Sequence, residues 1–144
     1  MGSRGRRIVR ATMAAAAAGT MLMSLASTAH AAARDGHCDN NEFCLYWGIN
    51  RSESLSDFAT SIPDYGATQP TCYEFKGAGR GRLTCVKNNA VSAWNRTGGT
   101  VRLYAATSCT GDRRWVIQPG QIINDLSPLA NQNQSHSLVS SGAC

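Results

Sequence analysis

The residues whose types could do chemistry begin with six cysteines, Cys38, Cys44, Cys72, Cys85, Cys109 and Cys144. Cysteines serve as metal ligands, nucleophiles or disulfides. No two of these stand as Cys-x-x-Cys, and past the first 31 positions only His37 and His136 could join them, which argues against zinc. An even count in an exported chain reads as disulfides. Among the connectivities open to six cysteines, we take the pairing by neighbours: Cys38–Cys44, Cys72–Cys85 and Cys109–Cys144. Each bridge is worth about 2–4 kcal/mol. A serine nucleophile would need a histidine to take its proton. His136 lies between Ser135 and Ser137, which reads as the surface of a strand or loop. There is no Gly-x-Ser-x-Gly, His-Glu-x-x-His or Walker loop. The nine acidic residues are scattered, and no pair stands out for glycoside hydrolysis. Gly77-x-Gly79-x-Gly81 lacks the Gly-x-Gly-x-x-Gly spacing and the following helix that would cradle a phosphate. Binding rather than catalysis is the expectation.

The elements that must position these residues start with a leader. Arg4, Arg6, Arg7 and Arg10 precede an apolar stretch, Ala11 to Ala26, and then Ser27-Thr28-Ala29-His30-Ala31. That is a signal peptide, residues 1–31, with cleavage after Ala31 and a nearby alternative after Ala33. The remaining 32–144 form one domain of an exported, extracellular protein, expected to be monomeric and free of the membrane once the leader is removed. The whole chain has 14 basic and 9 acidic residues, net +5. Four of the arginines and none of the acids lie in the leader, so the domain is 10 − 9 = +1. With no basic stripe, nucleic acid is not an expected partner.

Past the leader no segment keeps helical apolar spacing. Short apolar or alternating runs recur between Gly, Asn, Asp and Pro: Phe43–Trp47, Tyr73–Phe75, Leu83–Val86, Val91–Trp94, Val101–Tyr104 and Trp115–Ile117. The pattern is all-β, and it repeats. Cys44-Leu45-Tyr46 matches Arg102-Leu103-Tyr104. Ile62-Pro63-Asp64-Tyr65 matches Ile123-Asn124-Asp125-Leu126. Asn88-Asn89-Ala90-Val91-Ser92 matches Asn131-Gln132-Asn133-Gln134-Ser135. The stretch from Asp64 to Ser92 is much longer than its equivalent from Asp125 to Ser135. The first copy therefore carries an insert, which holds Cys72, the glycine cluster and Cys85. Two such units read as two Greek keys packed into a disulfide-stapled sandwich. Tyr46, Trp94, Tyr104 and Trp115 are expected in its core.

This arrangement resembles the βγ-crystallin fold. Several further stretches narrow the resemblance: the Cys38-x5-Cys44 start, Tyr73-x-Phe75-x-Gly77-x-Gly79-x-Gly81, Val86-Lys87-Asn88-Asn89-Ala90-Val91-Ser92-Ala93-Trp94-Asn95, Leu103-Tyr104 and Pro119-Gly120. Together they resemble the small secreted peptidase inhibitors of actinobacteria typified by the Streptomyces metalloproteinase inhibitor. The resemblance implies an extracellular peptidase as partner, of the thermolysin type. Such enzymes prefer a bulky apolar residue just after the scissile bond. A stiff loop offered to the cleft loses little entropy on binding, and Cys72–Cys85 would stiffen the insert. The candidate inhibitory segment is Thr84, Cys85, Val86 and Lys87, with Cys85–Val86 as the reactive bond and Cys44–Leu45 as second choice. The crystallin resemblance also implies a calcium signature at Asn88, Asn89 and Ser92. These supply neutral oxygens only, a poor set for a cation that wants several charged ones, and they equally suit a turn closed on its own backbone. No other cofactor is expected. Two other readings stand beside inhibition: a crystallin-type structural or calcium-binding protein, and a small antimicrobial or killer-toxin-like protein.

Overall fold

The computed structural model describes residues 33–139 and Cys144; the predicted leader, residues 1–31, lies outside them. No helix among the described residues is long and apolar enough to cross a membrane. The strands are β1 (Phe43–Tyr46), β2 (Leu55–Phe58), β3 (Ser92–Asn95), β4 (Val101–Tyr104), β5 (Arg114–Ile117), β6 (Ile122–Ile123) and β7 (Ser135–Leu138). One 3-10 turn, Ile49–Arg51, follows β1. The strands form two antiparallel sheets, ordered β2-β1-β3-β6 and β5-β4-β7.

Each sheet borrows from the other unit. β6 belongs to the second copy and pairs with β3 of the first. Ile62 belongs to the first copy and bridges His136 on β7, with N–H···O distances of 2.9 and 3.0 Å. Neither copy could bury its own face, so the two interlock.

The predicted repeat is visible in the hydrogen bonds as pairs of equivalents. Val91 N–H donates to Tyr46 O, and Gln134 N–H to Tyr104 O, both at 2.9 Å. Leu126 N–H donates to Val91 O at 2.8 Å, and Tyr65 N–H to Gln134 O at 3.0 Å. Ser92 Oγ donates to Gly48 O and accepts from Arg51 N–H; Ser135 Oγ donates to Ala106 O and accepts from Cys109 N–H. Asn88 and Asn131 both adopt left-handed backbone, φ 61° and 58°, which asparagine tolerates better than most residues.

The core between the sheets holds Phe43, Leu45, Phe58, Tyr65, Phe75, Val86, Val101, Leu103, Ile117 and Leu126. All three disulfides follow the neighbour pairing: Cys38–Cys44, Cys72–Cys85 and Cys109–Cys144.

Three sequence expectations are corrected. His136 is no surface residue. It is fully buried, with ring centroids 5.0 Å from those of both Phe43 and Phe58, because β7 lies under the first copy's Ile62 bridge. Trp94 is half-buried, outside the core, and lies between the guanidinium groups of Arg51 and Arg96, 4.8 and 4.6 Å from its ring; Trp115 is also only partly buried. Tyr73–Phe75 and Leu83–Val86 are not regular strands. They meet through a single bridge, Glu74↔Cys85, and the insert joins β2 through the Leu55 carbonyl and Ser56 hydroxyl rather than as a laddered strand.

Candidate functional site

The insert is an irregular hairpin closed by Cys72–Cys85, whose Cα atoms are 5.6 Å apart. Val86 N–H donates to Tyr73 O (2.7 Å), Phe75 N–H to Thr84 O (3.0 Å) and Leu83 N–H to Phe75 O (2.8 Å). Phe75 is buried and anchors the hairpin to the core. Strand β2 clasps one side. Lys76 and Gly77 N–H both donate to Leu55 O, at 2.8 and 3.1 Å, and Ser56 Oγ donates to Glu74 O at 3.0 Å. The tip is held by Ser54 Oγ, which donates to Arg80 O (2.6 Å), and by Arg80 N–H, which donates to a Glu53 carboxylate oxygen (2.7 Å).

The glycine cluster has a packing cause. At Gly81, φ is +83° and a Cβ would stand 2.2 Å from the Trp47 ring; Trp47 in turn meets Phe75 edge-on at 5.7 Å. At Gly79, φ is +115° and a Cβ would stand 2.9 Å from the Glu53 backbone. Only glycine lets the tip lie this close.

With its base sealed, the insert shows its outer edge to solvent. Arg80, Arg82 and Lys76 are exposed. Directly after Arg82 in the chain, Leu83 is 58% exposed, in left-handed backbone at φ +65°, and its carbonyl accepts from Gln69 Nε2 at 2.8 Å. The same Gln69 amide also reaches Glu74, and this bond, with Lys76 3.2 Å away, holds the Glu74 carboxyl below its usual range. An aliphatic side chain on an exposed, cross-linked, cationic rim is what an apolar subsite could accept. Sequence reasoning missed Leu83 because it was assigned to a strand; its position directly after Arg80-Gly81-Arg82 was the available signal.

The four predicted inhibitory residues do lie together, beside the disulfide. Thr84, Cys85 and Lys87 are partly buried. Val86 is 0% exposed and sits in the core. Its carbonyl accepts from Asn133 Nδ2 (2.9 Å) and Asn89 N–H (3.0 Å). Val86, expected to follow the reactive bond, fills the interior, where burial is worth about 1.5–3 kcal/mol. Lys87 bonds Asp64 at 2.8 Å, which, with the Gly66 N–H, holds that carboxyl below its usual range. The second-choice bond, Cys44–Leu45, lies within β1 with both residues fully buried.

At the calcium candidate, side chains are engaged with backbone. Asn89 Nδ2 donates to Cys85 O and Lys87 O, and Ser92 Oγ bridges Gly48 O and Arg51 N–H. Asn88 N–H donates to Asn133 O at 2.7 Å. Among the described residues no group of three or more His, Cys, Asp or Glu is placed to hold a metal ion. His136 is not a free base: its Nδ1 accepts from Tyr65 OH at 2.7 Å and its Nε2–H donates to Thr60 O at 3.0 Å.

Comparison with known proteins agrees with this picture. The model of peptidase inhibitor family I36 matches residues 31–116, the first Greek key with its insert and the start of the second. A βγ-crystallin domain, from work on how the eye-lens fold evolved, superposes with a TM-score of 0.52 at 12% identity, covering 68% of this chain and 84% of its own. The N-terminal domain of protein S (TM-score 0.48, 16% identity, 72% of this chain and 99% of that one) and an archaeal βγ-crystallin (0.47, 17%, 69% and 99%) are also similar. No curated protein matches the chain. With 31–116 of 144 residues matched to the family's model and a sandwich of two interlocked Greek keys, the chain belongs to peptidase inhibitor family I36 and has the βγ-crystallin fold.

Proposed function

We propose that this protein is an extracellular, monomeric inhibitor, itself without catalytic activity, that sets the rim of the Cys72–Cys85 insert into the cleft of a thermolysin-type peptidase. The observation that carries the reading is the exposed Leu83 on a tip held by a disulfide, strand β2 and the Trp47 ring. A tip so restrained loses little freedom on binding. Thr84, Cys85, Val86 and Lys87 serve as the stiff footing of the rim. Arg82–Leu83 is the bond followed by an exposed apolar side chain; for Cys85–Val86 to play that part, Val86 would have to leave the core.

The test is a titration of the oxidised protein against a thermolysin-like, a subtilisin-like and a trypsin-like enzyme. Stoichiometric inhibition of the first alone is expected. Leu83→Asp should weaken inhibition at least about tenfold, roughly the worth of one lost apolar contact of 1–2 kcal/mol, while Val86→Ala, in protein that remains folded, should change it little. The reverse ranking would assign the contact to Cys85–Val86, and inhibition of none of the three would defeat the proposal.

A further inference from the structure

Asp57 on β2 is wholly buried, and its carboxylate faces the start of the described chain. One oxygen, Oδ2, accepts the backbone N–H groups of Arg34 and Asp35 (3.1 Å for Asp35), and Oδ1 accepts that of Gly36 at 2.9 Å. Among the described residues no lysine or arginine side chain forms a direct ion pair with it; the Arg34 guanidinium, held on Ser56 and Glu74, feels its charge without bonding to it. A buried carboxylate calls for a compensating cation. The surroundings sharpen the need: Glu42 is 2% exposed with Oε1 unpartnered, and burial, with repulsion from Asp57, Asp39 and Asp35, pushes its carboxyl above the usual range.

Arg34 is where the chain joins the body. Its guanidinium lies 5.0 Å from the Phe58 ring and 4.7 Å from that of Tyr73, and donates to Ser56 Oγ (2.6 Å) and Glu74 O (3.2 Å). Its φ is +73°, a conformation disfavoured for a residue with a Cβ by several backbone clashes, one of them with the preceding carbonyl oxygen. The first residue of a chain has no preceding carbonyl, so that one clash is absent. Immediately before Arg34 stands Ala31-Ala32-Ala33, a second small-x-small cleavage signal.

We propose that the leader is removed after Ala33 rather than after Ala31, and that the α-ammonium of Arg34 so created pairs with the buried Asp57 carboxylate. A signal peptidase adds water across the Ala33–Arg34 bond. Ala33 leaves with the new carboxylate, and the Arg34 nitrogen takes up the proton that makes it an ammonium. Export processing thereby supplies a cation bonded directly to Asp57, and the new chain end is held half-buried against the body.

The full chain, expressed with its own leader in a secreting bacterial host, tests this by intact mass and N-terminal sequencing. The secreted protein should begin at Arg34; a start at Ala32 overturns the proposal. Domains prepared to begin at Arg34 and at Ala32 should differ in melting temperature by a few degrees, the Arg34 form being higher, and the gap should close in Asp57→Asn. Because Asp57→Asn can impair folding, Nα-acetylated Arg34 protein provides a second comparison and should melt near the Ala32 form. Equal melting of the Arg34 and Ala32 forms also overturns it.

Discussion

His136 shows how one buried side chain can write pH dependence into a fold. Burial in the aromatic cluster lowers its pKa to about 3 from 6.5, against the opposing bond to Thr60 O. The folded state thus holds the ring neutral while the unfolded chain takes a proton below pH 6.5. The stabilisation is complete above that pH and is lost as pH falls towards 3, by about 1.4 kcal/mol per unit. Chemical denaturation between pH 6 and pH 4 should show the wild type losing about that much more per unit than His136→Gln. Equal slopes would mean that the ring is protonated in the folded protein. The same ring tests sequence reading at this scale. Two flanking serines made position 136 look like surface, because strand alternation is readable only when one face meets water; all four residues of β7 are buried.

The insert is the element that the proposed function sets into the peptidase cleft, and its stiffness can be measured. Gly81→Ala forces a Cβ into the Trp47 ring at a backbone angle that L-residues avoid. A loss of about 1–3 kcal/mol is expected, with a shift in tryptophan emission as Trp47 is displaced; an unchanged melting curve would mean that the tip is not seated on the ring. Replacing Cys72 and Cys85 together by serine opens the loop that this bridge closes, and should cost about 2–4 kcal/mol. The opened variant should be cut by the target peptidase and lose inhibition on prolonged incubation. A variant that inhibits as durably as the wild type would remove the disulfide from the mechanism. At this scale the sequence was a partial guide. The cysteine spacing and the excess length of the first copy located the insert. Which apolar residue it buries and which it shows, Val86 or Leu83, depends on how the irregular hairpin is bonded to β2 and to Asn133, and no periodicity in the sequence encodes those contacts.

The described domain is two copies of one unit, each completed by a segment of the other. β6 completes the first copy's sheet, and the Ile62 segment pairs with the second copy's β7. The domain should therefore unfold in a single transition, with calorimetric and van't Hoff enthalpies equal; two resolved transitions would contradict the interlocked topology. A chain ending at Arg96 should lack the near-ultraviolet circular dichroism of a packed core, since it would leave β3 without β6 and Ile62 without His136.

Sequence alone determined the all-β class, the two-unit repeat and the family resemblance, and offered the neighbour pairing of the cysteines that the structure shows. These follow from local patterns, such as alternation, turn residues at fixed offsets and counts of cysteines, which survive in one dimension. Tertiary structure alone decided that the units exchange strands, that His136 is interior, that Val86 is core while Leu83 is displayed, and that Asp57 gathers the N–H groups of Arg34, Asp35 and Gly36. Each of these depends on segments tens of residues apart meeting at a distance of a few ångströms, Tyr65 with His136 or Arg34 with Asp57. Burial is a property of that meeting, and a residue carries no mark of it beforehand.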